Sequence, residues 1–230
     1  MTSHEPFVRV RDLPASPAPS AQLLALVAEA RPVRARDLGR EGAILVGGLA
    51  IWALLLVGAI GLRGDLPSLP IVRFFAGALA WAALLLVGLW MVLRPPRGQV
   101  LPSILAARVV ALLLPIGAVA IAVALLVDAP GVTRHPGGAE AGRMIAHCLS
   151  LGLGIGVAPM LILLLQGRAR LLAGRGALGA ALGAATGALG ALVLHVVCPV
   201  GGLAHILAGH AAVLVAGALV GAAAAHLVAR

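Results

Sequence analysis

Residues 43–62 read AILVGGLAIWALLLVGAIGL, an apolar run without a single charged side chain. A helix that crosses the hydrocarbon core of a bilayer needs about 20 such residues. Of the 230 residues in the chain, 61% are hydrophobic and only 11% are charged, and the mean hydropathy is +1.09. Soluble domains are about 45–50% apolar and about 25% charged. The composition therefore excludes a soluble globular domain and predicts a membrane protein.

Five further apolar runs have the length expected of membrane-spanning helices. We therefore predict an all-α fold, a polytopic transmembrane bundle of six helices at residues 43–230, preceded by a short cytosolic segment at residues 1–42. No cleavable signal peptide is expected, so the first helix would act as the insertion signal. The predicted helices are residues 43–62, 74–93, 104–127, 145–165, 176–198 and 203–229.

The distribution of arginine predicts the orientation of the bundle. All 17 basic residues are arginines, and the net charge is +9. Loops on the cytoplasmic side of membrane proteins are enriched in basic residues. Placing both termini in the cytoplasm leaves few arginines on the outer side, namely Arg63, Arg73, Arg134 and Arg143. We therefore predict a multi-pass protein of the cell inner membrane, with the lipid bilayer as a partner and no direct contact with nucleic acid.

Small residues recur at four-residue spacing in the last two predicted helices. Gly179, Gly183 and Gly187 form two overlapping GxxxG units, and Gly217 and Gly221 form another. Such spacing lets helix backbones approach closely in lipid. The pattern predicts tight packing of these helices, either within one chain or between two chains of a homo-oligomer.

The chain has only two cysteines, Cys148 and Cys198, and the predicted topology places both near the outer face. His147, His195 and His205 fall on the same side. Three interpretations stay open: a disulfide or redox switch, a site for a soft metal ion, or two inert buried cysteines with interfacial histidines.

Other polar residues give weaker indications. His210 and His226 lie in the last predicted helix, where an ionisable side chain is a functional candidate by default, although either could bond to a neighbouring backbone. No Asp or Glu lies within a predicted helix, which argues against an ion-coupled transporter. The motifs HExxH and GxSxG and the P-loop are absent, so we do not expect an enzyme. Arg63-Gly64-Asp65 predicts a turn or a local ion pair.

Several short motifs together resemble the NrsF family of bacterial membrane anti-sigma factors (negative regulator of sigma F). The resemblance covers nearly the whole chain. It includes Pro32-Val33-Arg34 at the end of the cytosolic segment and LRGDL at residues 62–66. It continues with Cys148, then Ala158-Pro159, and finally HVVCP at residues 195–199.

The resemblance implies a mechanism. The segment 1–42 would hold an extracytoplasmic function sigma factor inactive, and the outer cysteines would sense metal or oxidative stress. No cofactor is expected beyond a soft metal ion at the cysteines. An alternative is a small transporter or metal-handling permease, which metal uptake would reveal. A membrane redox or haem protein is a third interpretation, which a Soret band would reveal.

Overall fold

The computed structural model describes residues 38–93, 119, 122–123, 136–166 and 175–228. Most of the predicted cytosolic segment lies outside these residues, as does the predicted helix 104–127 apart from three positions. The described residues form five long helices and no strand. The helices are α1 (Leu38–Ile60), α2 (Ile71–Leu93), α3 (Gly138–Gln166), α4 (Arg175–Val197) and α5 (Leu203–Val228).

All five helices are long and apolar enough to cross a membrane. Large apolar side chains face away from the bundle, as in α1, where Ile51, Leu54 and Leu55 are each more than half exposed. A continuous surface of this kind requires lipid rather than water. The chain is therefore an all-α membrane protein. The number of six helices is not matched by the described residues, because the predicted helix 104–127 lies outside them.

Helices α1 and α3 begin five or more residues earlier than the apolar pattern predicts. We expected a helix from residue 145, but α3 begins at Gly138 and includes Glu140 and Arg143. Likewise, α1 begins at Leu38 and includes Arg40 and Glu41 in its first turns. In both helices, the first turns lie before the apolar segment. An acidic residue in the first turn interacts favourably with the helix dipole, which explains why charged residues did not end either helix.

Helix α4 lies at the centre and packs against α1, α2, α3 and α5. It is built mainly from small residues, which allow four neighbours to approach its backbone closely. Its contact with α5 has glycine on both sides. A Cβ atom added at Gly183 would overlap the carbonyl oxygen of Gly217, and one added at Gly179 would overlap that of Gly221. The predicted close packing of these helices is confirmed, and it occurs within one chain.

Two turns lie at the same end of the bundle, which we call the turn end: residues 61–70, between α1 and α2, and residues 198–202, between α4 and α5. The backbone N–H of Arg63 in the first turn donates to the carbonyl oxygen of Val196 beside the second (3.2 Å). At the opposite end, Leu164 near the end of α3 packs with Leu182 and Ala225. Both α2 and α3 therefore run away from the turn end.

Candidate thiol and metal site

The two cysteines meet at the turn end. Cys148 lies in the first half of α3, and Cys198 directly follows α4. Their Sγ atoms are 3.6 Å apart, and both cysteines are free and buried. The close approach of α3 and α4 explains this contact. A Cβ atom added at Gly190 would overlap the carbonyl oxygen of Gly152, one turn along α3 from Cys148.

Helix α5 adds two imidazoles to the thiols. Nε2 of His205 lies 3.4 Å from Sγ of Cys198. His210 lies beside His205, with the ring centroids 5.3 Å apart and the planes nearly perpendicular. One potential ligand atom from each of the four residues lies within 4.8 Å of the other three. We call Cys148, Cys198, His205 and His210 the Cys/His cluster.

An irregular segment of α5 brings the two histidines together. In a regular α-helix, side chains five residues apart point about 140° away from each other. Residues Ile206–Ala211 instead form a π-helix, whose hydrogen bonds join residues five apart. His205 and His210 therefore lie on the same face, toward the cysteines. Gly209, within this segment, lies beside α3, where an added Cβ atom would be 3.4 Å from Cβ of Cys148.

The cluster is buried, and its polar atoms are incompletely paired. All four residues are at most 7% exposed. Among the described residues, neither ring nitrogen of His210 has a hydrogen-bond partner, and Nδ1 of His205 has none either. Buried polar side chains in proteins nearly always have partners. His210 is thus positioned to receive a partner that is neither backbone nor a neighbouring side chain of the described residues.

The surroundings of Cys198 favour a thiolate. The hydrogen bond with the Cys148 thiol lowers the pKa of Cys198 most, and the hydrogen bond with Nε2 of His205 acts in the same direction. Burial raises the pKa, by less than the hydrogen bond with Cys148 lowers it but by more than His205 lowers it. Since the thiolate is both the nucleophile and the metal ligand, this environment suits reactions with oxidants and with soft metal ions.

A family model described as "NrsF: Negative regulator of sigma F" matches residues 26–230. The chain belongs to the NrsF family. Searches for similar curated proteins and for similar solved structures gave no match. Membership makes the chain an anti-sigma regulator whose partner is a sigma factor.

The structure of this NrsF-family chain brings together three of the five predicted site residues and separates the other two. Cys148, Cys198 and His205 are in the Cys/His cluster. His147 is exposed on the outside of α3. His210, which completes the cluster, was not among the predicted site residues. Because His210 follows His205 by five residues, a regular helix would direct it elsewhere. The only indication of His210 in the sequence was that an ionisable residue lies within an otherwise apolar predicted helix.

His195 of this NrsF-family chain connects two helices instead of joining the cluster. Its Nε2 donates to the carbonyl oxygen of Phe74 in α2 (3.0 Å), and its ring stacks on that of Phe74. Three residues correspond to a difference of about 60° around a helix axis. This angle is enough for Cys198 to face α3 and α5 while His195 faces α2. Gly77 makes room for the ring, since an added Cβ atom would lie 2.5 Å from Cε1 of His195.

The turn LRGDL, one of the motifs that carry the NrsF resemblance, is attached to the same end of α4. The buried guanidinium of Arg63 donates to both carboxylate oxygens of Asp65, at 2.6 and 2.7 Å. It also donates to the carbonyl oxygen of His195 (3.4 Å). The predicted local ion pair is thus confirmed, and it joins the α1–α2 turn to the residues just before Cys198.

Proposed function

We propose that this NrsF-family protein holds an extracytoplasmic function sigma factor inactive at the membrane through residues 1–42. In this proposal, metal or oxidative stress acts on Cys148 and Cys198 and releases the sigma factor. The observation that carries the sensor function is the 3.6 Å contact between the two buried thiols, which belong to different helices. A change in the bonding of the two sulfurs therefore alters how α3 packs against the end of α4.

Oxidation is one such change. With a peroxide as the oxidant, two thiols lose two protons and two electrons, an S–S bond forms, the O–O bond breaks, and the oxygens leave as water or alcohol. A disulfide has an S–S distance of about 2.05 Å, so the sulfurs of Cys148 and Cys198 would move together by roughly 1.5 Å. Closely packed helices accommodate such a shift by changing their packing as units.

The contacts of Arg63 supply a route from the cysteines to the cytosolic segment. Its backbone and guanidinium bind the carbonyl oxygens of Val196 and His195, two and three residues before Cys198. Movement of Cys198 therefore acts on the α1–α2 turn, and α1 leads directly back to residues 1–37. The signal biases the sigma-binding state only to the extent that it stabilises one packing of these helices over another.

Copurification tests the partner. The full chain, extracted from membranes in mild detergent under reducing conditions, should retain an extracytoplasmic function sigma factor. A variant lacking residues 1–30 should insert equally well and lose the sigma factor. Equal recovery of the sigma factor with both chains would contradict binding through the N-terminal segment.

Transcription from a sigma-dependent reporter tests the sensor. Cys148→Ser and Cys198→Ser should each reduce induction by peroxide or by a soft metal ion at least 10-fold, at equal amounts of protein in the membrane. Ser150→Ala is the matched control, because Ser150 is exposed on α3 and its hydroxyl donates only locally, to the carbonyl oxygen of His147. Normal induction in both cysteine variants would contradict the proposed sensor.

A further inference from the structure

We infer that Cys148, Cys198, His205 and His210 form a four-coordinate site for a single borderline-soft divalent cation such as Zn²⁺ or Cd²⁺. The inference names the ligand of the proposed sensor and, in that respect, rests on the proposed function. Of the histidines predicted at the site, it keeps His205 and excludes His147 and His195, and it adds His210 as a ligand.

The chemistry of the donor atoms selects the class of ion. Two sulfurs and two imidazole nitrogens form the S₂N₂ set of structural zinc sites. Soft thiolates select Zn²⁺, Cd²⁺ and Cu⁺ over Mg²⁺ and Ca²⁺, which prefer oxygen ligands. No carboxylate from the described residues belongs to the Cys/His cluster. Two thiolates also balance a divalent charge, so the loaded site would be neutral, as a buried site in a membrane bundle requires.

The distances within the cluster approach those of a tetrahedral site. Zn–S bonds of about 2.3 Å and Zn–N bonds of about 2.0–2.1 Å place two sulfurs about 3.8 Å apart and a sulfur and a nitrogen about 3.6 Å apart. The Sγ atoms of Cys148 and Cys198 are 3.6 Å apart, and Sγ of Cys198 is 3.4 Å from Nε2 of His205. The largest distance between two potential ligand atoms of the cluster is at most 4.8 Å, and it would have to shorten by roughly 1–1.5 Å when a metal ion binds.

The unpartnered ring of His210 is a second, independent observation. It is 1% exposed, and among the described residues no group hydrogen-bonds either of its nitrogens. A purely structural histidine would use at least one nitrogen, as His195 does with the carbonyl oxygen of Phe74. A metal ion bonded to one nitrogen of His210 would supply the missing partner.

The π-helical segment gives a further reason to expect a ligand. Such segments are rare and are concentrated at functional sites. Here the π-helix Ile206–Ala211 turns His205 and His210 to one face, where both rings meet the thiols. A regular helix would leave one imidazole facing away from the cysteines.

Cobalt binding to the purified protein tests the inference directly. The full chain, reduced and stripped of metal in detergent, is titrated with Co²⁺, which reports tetrahedral thiolate coordination through intense visible bands and a near-ultraviolet charge-transfer band. We expect one Co²⁺ per chain, displaced by one Zn²⁺. An octahedral spectrum, or no binding at micromolar Co²⁺, would overturn the inference.

Two pairs of variants separate ligands from neighbours. His205→Ala and His210→Ala should weaken Zn²⁺ binding by more than about 100-fold, which exceeds the usual effect of changing a group that only orients a ligand. His147→Ala and His195→Ala should bind Zn²⁺ as the parent does. His210→Cys should keep one Co²⁺ and strengthen the charge-transfer band. Parent-like affinity in His210→Ala, or no Co²⁺ in a folded His210→Cys protein, would overturn the role of His210.

The metal inference and the proposed function fail in different ways. If the chain binds no metal and peroxide induction still requires both cysteines, the metal site is wrong and the thiol sensor stands. If the chain binds Co²⁺ tetrahedrally and the reporter ignores both cysteine variants, the metal site stands and the proposed sensor is wrong.

Discussion

Two buried histidines at the turn end differ in their partners rather than in their burial. His195 donates to the carbonyl oxygen of Phe74, whereas among the described residues His210 donates to nothing. An unpaired buried polar group costs about 1–3 kcal/mol. As far as the described residues go, the ring of His210 therefore lowers the stability of the unliganded protein, and a ligand that pairs with it recovers that free energy. A buried imidazole without a hydrogen-bond partner is more readily explained by binding than by packing.

Zinc should accordingly stabilise the parent protein and not the variant His210→Ala. A ligand that binds only the folded state, at a free concentration 100 times its dissociation constant, raises the free energy of unfolding by about 2.7 kcal/mol. Thermal unfolding in detergent, with free Zn²⁺ fixed by a metal buffer, measures this gain. His195→Ala is the control: it loses a hydrogen bond to Phe74 and starts from lower stability, but it should show the full gain. An equal gain in His210→Ala would contradict the prediction.

The close contact between α4 and α5 is a feature that the spacing of small residues within a helix predicts well. The GxxxG spacing correctly indicated close packing, because the side chain that is absent from each glycine determines how near two backbones can approach. The sequence did not indicate the π-helical segment of α5. That segment packs against α3 and α4, and the apolar pattern of the last predicted helix carries no signal for it. The proximity of His205 and His210 therefore could not be predicted from the sequence, whereas the proximity of Cys148 and Cys198 followed from the predicted topology.

Replacing Gly183 with alanine should destabilise the protein, because the new Cβ atom would overlap the carbonyl oxygen of Gly217 and force α4 and α5 apart. Overpacking of this kind costs about 1–3 kcal/mol. The matched control is Gly154→Ala in α3, where an added Cβ atom meets no atom of the described residues within 4 Å. Alanine there should leave stability unchanged or raise it by up to about 1 kcal/mol. Denaturant unfolding in detergent measures both, and equal stabilities would contradict the close contact.

The α1–α2 turn depends on the ion pair of Arg63 and Asp65. Asp65→Ala would leave the guanidinium of Arg63 buried without its countercharge, and breaking a buried pair costs about 3–5 kcal/mol. Adding Arg63→Met to that variant should recover part of the loss, since an apolar side chain needs no partner. Arg73→Met is the control, because Arg73 is exposed and its replacement should change stability by about 0.5 kcal/mol or less. Additive losses in the double variant would contradict the coupling.

At the scale of the whole molecule, α2 and α3 run through the bundle in the same direction. Helix α2 runs away from the turn end and so does α3, because Cys148 lies near Cys198 while Leu164 packs with Ala225 at the opposite end. Leu93 at the end of α2 and Gly138 at the start of α3 therefore lie at opposite ends of the bundle. The predicted helix 104–127 falls between these two residues in the chain and stays a prediction. The sequence located the five described helices well, because length and apolar composition alone set a membrane span.

Single cysteines introduced into a Cys148→Ser/Cys198→Ser background should test this arrangement and its orientation. Ser68→Cys, in the α1–α2 turn, and Gly137→Cys, just before α3, occupy exposed positions at the turn end. Gln166→Cys is exposed at the other end of α3. If the turn end faces outward, a membrane-impermeant maleimide should label the first two in intact cells. It should label Gln166→Cys only after the cells are opened, because an impermeant maleimide cannot cross the bilayer to reach the other side. Opposite labelling of Ser68→Cys and Gly137→Cys would contradict their placement at the same end of the bundle. Labelling of Gln166→Cys alone in intact cells would invert the orientation and place the Cys/His cluster on the cytoplasmic side.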